Sequence, residues 1–222
     1  MLRNFHVKHF WYYFRENSMM KALLTVLTLV ICLNVQAQFT FEENNHYTVV
    51  AEQKTAKPEV KEFFSLFCSH CFQFEPFMDS VQAALPKGMK LEKSHVDYLP
   101  RNDEEMQNLI VRAFLVMREL NMESDLVKQF FAAYHIKGVE FKTQEDLKQL
   151  FVANDVPGDK FDALMSNKRI AQEAEAMSAL WEEKKVLSVP TIVVNGKYRI
   201  NMSTLKNVNE LKAITLELLT KD

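Results

Sequence analysis

The stretch Glu62-Phe63-Phe64-Ser65-Leu66-Phe67-Cys68-Ser69-His70-Cys71 constrains this chain more than any other. An apolar, strand-like run delivers two cysteines, spaced C-x-x-C, onto what reads as the first turn of a helix. A thiolate placed there faces backbone N–H groups that lack partners within the helix, and the positive end of the helix dipole. That pattern points to a redox-active dithiol. The chain has three cysteines in all. The third, Cys32, falls in a segment that reads as cleavable. Cys68 and Cys71 would then be the whole thiol inventory of the mature product, with nothing over for a structural disulfide or a second metal-ligand pair.

The cleavable segment runs from Met20. Lys21 is followed by the apolar stretch Ala22–Leu33 and then by Asn34-Val35-Gln36-Ala37, a charged start, an apolar centre and a small-residue cleavage site. A spanning helix needs about 20 apolar residues and this stretch is shorter, so a membrane anchor is the alternative reading. Cleavage after Ala37 makes Gln38 the first mature residue. Residues 1–19 either extend the charged start or are translated upstream sequence, with Met19 or Met20 as the true start. Losing residues 1–37 removes Arg3, Lys8, Arg15, Lys21 and Glu16, which takes the net charge from −2 to −5. No basic run survives, so nucleic acid is not expected as a partner. An exported chain with a lone C-x-x-C belongs in an oxidising compartment.

The mature part, roughly 185 residues, is one domain's worth with room for an insertion. Tyr47–Ala51, Val60–Phe67 and Leu91–Tyr98 read as strands, with a helix from about Cys68 towards Leu85, ended by Pro86 and Gly88. After Pro100 the period becomes helical. Asn102 with Glu105 reads as a capping box, followed by the stripe Met106, Leu109, Ile110, Ala113, Phe114, Met117 and Leu120. Further helices are predicted at about 124–136, 144–153 with Thr143 as N-cap, 159–166 and 168–186. Thr191–Val194 and Lys197–Ile200 flank Asn195-Gly196, a two-residue hairpin turn. A closing helix starts near Asn207, with Glu210 as capping partner. The fold class is therefore α/β, a small sheet interrupted by helices.

The phrases Glu62-Phe63-Phe64-Ser65, Cys68-Ser69-His70-Cys71 and Gln73-Phe74-Glu75 resemble the active-site signature of the DsbA family, which is built on the thioredoxin fold. Val189-Pro190 with Val194-Asn195-Gly196-Lys197-Tyr198 is similar to its second signature, and Lys93-Ser94-His95-Val96 to the strand between them. The resemblance covers essentially all of the mature chain. One departure is Ser69, where the family usually has proline. The resemblance implies a thioredoxin-like domain in two parts, 38–98 and 171–222, around an inserted all-helical subdomain at 99–170. It implies a monomeric periplasmic enzyme without cofactor. Such an enzyme donates its disulfide to exported proteins that still carry free cysteines, and a DsbB-type membrane quinone reductase reoxidises it.

Disulfide exchange needs an exposed sulfur that is stable as a thiolate and a second thiol to resolve the mixed disulfide. Cys68 at the helix start fits the first role, and Cys71, on the same helical face and more buried, the second. A protonated or hydrogen-bonding His70 stabilises the Cys68 thiolate further. Sites of this family are themselves the type case for a C-x-x-C thiol near pKa 4. That value implies a reduced form favoured by about 4 kcal/mol at pH 7, or about 90 mV of oxidising power.

For Glu62, strand periodicity alone favours a carboxylate facing water. The resemblance implies instead a partly buried acid near Lys93 that accepts a proton from the buried thiol. It also implies a cis Pro190 facing the disulfide, where the backbone of Val189 pairs with an extended substrate.

Other chemistries are poorly served by the sequence. Half a zinc site lacks a second cysteine pair or an H-x₃₋₅-H, and covalent haem attachment needs histidine where Phe72 stands. His46, His95 and His135 read as surface or packing residues, and Met106, Met117 and Met165 as helix packing. Phe72 and Phe74 border a candidate peptide groove. A reductase or isomerase of the same fold, or a chaperone or metal-holding module, is the alternative to a disulfide donor.

Overall fold

Phe63 and Phe64 point to opposite sides of a strand, so the run before the cysteines needs cover on both faces. The computed structural model supplies it. It describes residues 39–221; the leader read over 1–37, with Cys32 and the cleavage point after Ala37, lies outside them. Residues from Phe41 onward form one compact unit.

Five strands form its sheet, β1 (Tyr47–Val49), β2 (Val60–Phe64), β3 (Leu91–His95), β4 (Thr191–Val194) and β5 (Tyr198–Ile200), in the spatial order β1-β5-β4-β2-β3. β2 runs parallel to β3 and antiparallel to β4. The parallel pair needs a crossover, and α1 (Ser69–Ala84) provides it. Asn195 and Gly196 take φ of 52° and 61°, the double positive φ a tight hairpin requires. A Cβ on Gly196 would stand 2.7 Å from Thr55 Cγ2, so the position is closed to side chains.

Between β3 and β4 the chain is helical: α2 (Glu104–Glu119), α3 (Glu123–Phe131), α4 (Gln144–Val152), α5 (Gly158–Met165) and α6 (Lys168–Glu183). α7 (Val208–Thr220) closes the fold. Phe64, Leu66 and both cysteines are buried with Phe114, Phe130 and Phe131 of the helical block, while Val60 joins the core beneath α1 and α7. Phe63 packs in a third cluster with Val96 and Val193. The dithiol therefore sits where the sheet meets the helices.

Several boundaries differ from the sequence reading. The cap of α2 is Asp103, whose side chain accepts the Met106 N–H, and Asn102 lies before it at φ 60°. Aspartate caps as well as asparagine does, and asparagine tolerates the left-handed conformation better, so the start moves one residue on. At the closing helix Asn207 caps as expected, but Glu210 receives the Lys206 N–H in place of the cap's own. Thr143 and Asp146 form the reciprocal box at α4. The helix expected over 124–136 stops at Phe131 and widens into a π turn, Ala132–Ile136, with Lys137 N–H bonded to Ala132 C=O at 3.1 Å. α6 ends at Glu183 because Lys185 turns left-handed at φ 51°, and Val186 N–H returns to Trp181 C=O.

Candidate active site

β2 ends at Phe64, and the Cys68 N–H bonds back to Ser65 C=O at 3.0 Å, a tight turn that sets Cys68 as the N-cap of α1. Its sulfur takes the place a serine or aspartate oxygen usually holds, accepting the Cys71 N–H at 3.2 Å. Both thiols are free, Cys68 8% exposed and Cys71 fully buried. Ser69 and His70 face solvent. Across from the pair lies the Val189–Pro190 loop, joined by a cis peptide, with Val189 C=O 3.5 Å from Cys68 Sγ.

The two thiols are held in opposite directions. Cys68 is lowered from 9.0 to about 6, chiefly by the hydrogen bond from the Cys71 side chain. Burial opposes that, and the N–H groups of Cys71 and His70 assist, with the charge of His70 as the smallest contribution. Cys71 is pushed far up by burial first and by the Cys68 sulfur second. A thiolate at about 6 is milder than the value near 4 that the family resemblance implies. At pH 7 the reduced form then gains no more than about 1.4 kcal/mol, or about 30 mV, from this source. Screening by the water that reaches the sulfur trims it further.

Glu62 is fully buried, contrary to the outward-facing carboxylate that periodicity favours. The reason is the sheet: β2 is paired on both edges and covered on both faces. Lys93 lies beside Glu62 in the parallel ladder, and its Nζ reaches Glu62 Oε2 at 2.5 Å and Glu75 Oε1 at 2.7 Å. Glu62 Oε1 has no hydrogen-bond partner. Burial raises the Glu62 pKa to about 7 against the pull of Lys93. Burial also works against the Lys93 charge, but the two carboxylates outweigh it and raise its pKa. An acid with one free oxygen and a pKa near neutrality can take and return a proton beneath the dithiol.

Three contributors escaped sequence reasoning. Glu75 reads in the sequence only as part of a signature, although its place four residues after Cys71 puts both on one face of α1. His95 and His135 read as surface or packing residues, yet both bond to the Leu66 backbone: Leu66 N–H donates to His95 Nε2 at 3.0 Å, and Leu66 C=O lies 2.9 Å from His135 Nε2. No local sequence signal marks His135, which is 69 residues from its partner. Phe74 and Phe77, with Met202, Leu205, Val208 and Leu211, line an apolar cavity of about 130 Å³ between α1 and α7. Phe72 instead stacks on His135. Among the described residues no cluster of His, Cys, Asp or Glu could hold a metal ion, and no helix is long and apolar enough to cross a membrane.

A helix-capping thiol with a buried partner, on a sheet of this topology, defines a class: the thiol:disulfide oxidoreductases of thioredoxin fold. The chain belongs to the DSBA-like thioredoxin domain family, which it matches over residues 59–212. It is similar to the thiol:disulfide interchange protein DsbA of Salmonella typhi, 30% identical over 190 residues that cover 82% of this chain and 87% of the relative. The DsbA of Pectobacterium carotovorum is 30% identical over 189 residues, covering 82% and 86%. Among solved structures, the DsbA disulfide interchange protein of Klebsiella pneumoniae superposes with a TM-score of 0.73 at 25% identity, over 83% of this chain and 100% of that one.

Proposed function

We propose that the protein is a periplasmic disulfide donor. In this reading a substrate thiolate attacks Cys68 Sγ of the Cys68–Cys71 disulfide. The bond to Cys71 breaks, and the departing Cys71 sulfur takes a proton, supplied by Glu62, while Lys93 keeps its charge between Glu62 and Glu75. A second substrate thiolate attacks the substrate sulfur of the mixed disulfide, a substrate disulfide forms, and Cys68 leaves as the thiolate that the α1 amides stabilise. The dithiol is reoxidised by a DsbB-type membrane quinone reductase. Val189 and the cis Pro190 face the sulfur and align an extended substrate chain, and the Phe74–Phe77 cavity receives its apolar side chains. Ser69 and His70 form the exposed rim of the dithiol, with His70 adding charge. The enzyme is a monomer that needs no cofactor, with residues 99–170 as the inserted subdomain.

The observation that carries this reading is the placement of two cysteines on one helical turn, Cys68 capping the helix with its sulfur on the Cys71 N–H and Cys71 fully buried, which makes Cys68 the better leaving sulfur and Cys71 the reserve. Mixing the oxidised protein with a reduced, unfolded protein tests it: substrate thiols should disappear in proportion to the enzyme added. No loss of thiols would remove the donor assignment. A reductase or isomerase is the second reading, favoured by a Cys68 pKa of about 6. Equilibration with glutathione separates the two, since a donor stays largely reduced where a reductase becomes oxidised.

A further inference from the structure

We infer that His135 is a positioning residue for the dithiol, holding both flanks of the C-x-x-C from the tip of the helical block. On the near flank its Nε2 lies 2.9 Å from the C=O of Leu66, a fully buried residue two positions before Cys68. On the far flank its ring lies flat on Phe72, the residue after Cys71, at 5.3 Å between centroids and 2° between planes. A carbonyl only accepts, so His135 Nε2 carries the proton.

The amide on the other side of the same residue is held by His95. Its Nδ1 lies 2.7 Å from Val96 C=O and must donate, which leaves Nε2 to accept the Leu66 N–H. Burial lowers the His95 pKa to about 4 and keeps that neutral tautomer in place. Leu66 is thus clamped between a histidine from β3 and one from the helical block. The π turn makes the second grip possible. The extra residue in the turn brings consecutive side chains onto the site, with Tyr134 edge-on to Phe67 at 5.0 Å beside the stacked His135. Phe130 and Phe131 extend the contact to Phe67 and Phe72.

Cys68 feels this through the Ser65–Cys68 turn. Its sulfur accepts the Cys71 N–H at 3.2 Å, so a buried Leu66 carbonyl without a donor would shift the turn and loosen that bond. The inference rests on the dithiol reading above. The test compares His135→Ala, His135→Phe and His135→Gln in the full chain. Circular dichroism checks folding. The readouts are the pH titration of thiolate absorbance and the equilibrium with glutathione. Phe keeps the stack and the volume while removing the donor, so it serves should the Ala variant fail to fold.

Loss of the donor should move the Cys68 midpoint up by about half to one pH unit and make the protein a weaker oxidant by roughly three- to tenfold. Gln, whose amide N–H reaches the same carbonyl, should recover most of both. Unchanged titration and equilibrium in the Phe and Ala variants would overturn the inference, as would a Gln variant as impaired as Ala. If the unmutated protein shows neither a lowered thiolate nor exchange with glutathione, the oxidoreductase reading falls with it.

Discussion

Cys68 and Cys71 lie one turn apart on α1, and the turn between them separates two chemical environments. At Cys68 the sulfur replaces a capping oxygen and collects the helix's unpaired N–H groups, so the charged form is favoured. At Cys71 solvent is gone and the Cys68 sulfur lies against the thiol, so the neutral form wins. On the proposed donor reading the same side chain serves as a leaving group at one end of the turn and as a proton-holding reserve at the other. Position relative to the helix terminus makes that difference.

The most direct way to break the comparison is to remove each sulfur in turn. Cys71→Ser should accumulate mixed disulfides with substrate through Cys68, visible as mass adducts on non-reducing gels, while Cys68→Ser should accumulate few. Both variants should lose disulfide transfer down to background. Equal trapping by the two would mean that burial does not distinguish them.

A pH series sharpens the comparison next. The folded pKa of Cys68, about 6, lies below its ordinary 9.0. The thiolate's contribution to the reduced fold is therefore complete above pH 9 and lost as pH falls through 6. It amounts to at most about 4 kcal/mol at the alkaline end and about 1.4 kcal/mol at pH 7, both trimmed by screening. The oxidised form has its own advantage, since closing a four-residue loop restricts the unfolded chain by about 2 kcal/mol. The denaturation midpoints of the two forms should accordingly cross between about pH 7 and 8, with the oxidised form ahead at pH 5 and the reduced form ahead at pH 9. With a thiolate pKa near 4 the reduced form would lead already at pH 7, so the crossing point in paired urea melts measures the milder thiolate.

The junction that builds this site was legible because local chemistry dictates it: an apolar run covered on both faces, a C-x-x-C with helix-forming residues behind it, and Asn195-Gly196 at the hairpin. Glu62 was misjudged by period because alternation presumes one wet face, and β2 has none. Only the neighbouring strand, which sets Lys93 beside Glu62, explains how a carboxylate survives there. The end of α6 was hidden by Lys185, a residue type that gives no warning of a left-handed turn. His135 was hidden more deeply, since its role depends on a π turn and on the Leu66 peptide, neither of which leaves a mark at positions 132–136.

Glu62→Gln probes the buried end of the dithiol. The folded pKa of Glu62, about 7, is raised above 4.5 by burial, so stability tied to the protonated acid is full below pH 4.5 and lost as pH rises through 7. A glutamine stays neutral throughout. It should raise the melting midpoint above pH 7 by an amount worth up to about 3 kcal/mol, and change little at pH 4. Lys93 keeps Glu75 as a partner, which limits the penalty of the exchange. In the same variant the mixed disulfide should form more slowly, because the departing Cys71 sulfur has lost its proton donor. A variant less stable than its parent at pH 8 would show that the pair with Lys93 outweighs the cost of burying the acid.

His70→Ala should produce the smallest effect of the series. The sequence puts His70 beside the thiolate as a further source of its stabilisation. In the structure it is exposed, and its charge ranks behind the Cys71 thiol, burial and two backbone N–H groups among the influences on Cys68. Charges in contact with water interact weakly because solvent screens them. The alanine variant should therefore raise the Cys68 midpoint only slightly, leave the trapping pattern of the two cysteines unchanged, and move the crossing of the melting midpoints to slightly higher pH. Raising the ionic strength should erase much of that shift in the parent protein, whereas the part owed to the helix amides should persist. A shift as large as the one expected for His135→Ala would put His70 in the leading position and make the surface of the dithiol, more than its buried frame, the source of its redox poise.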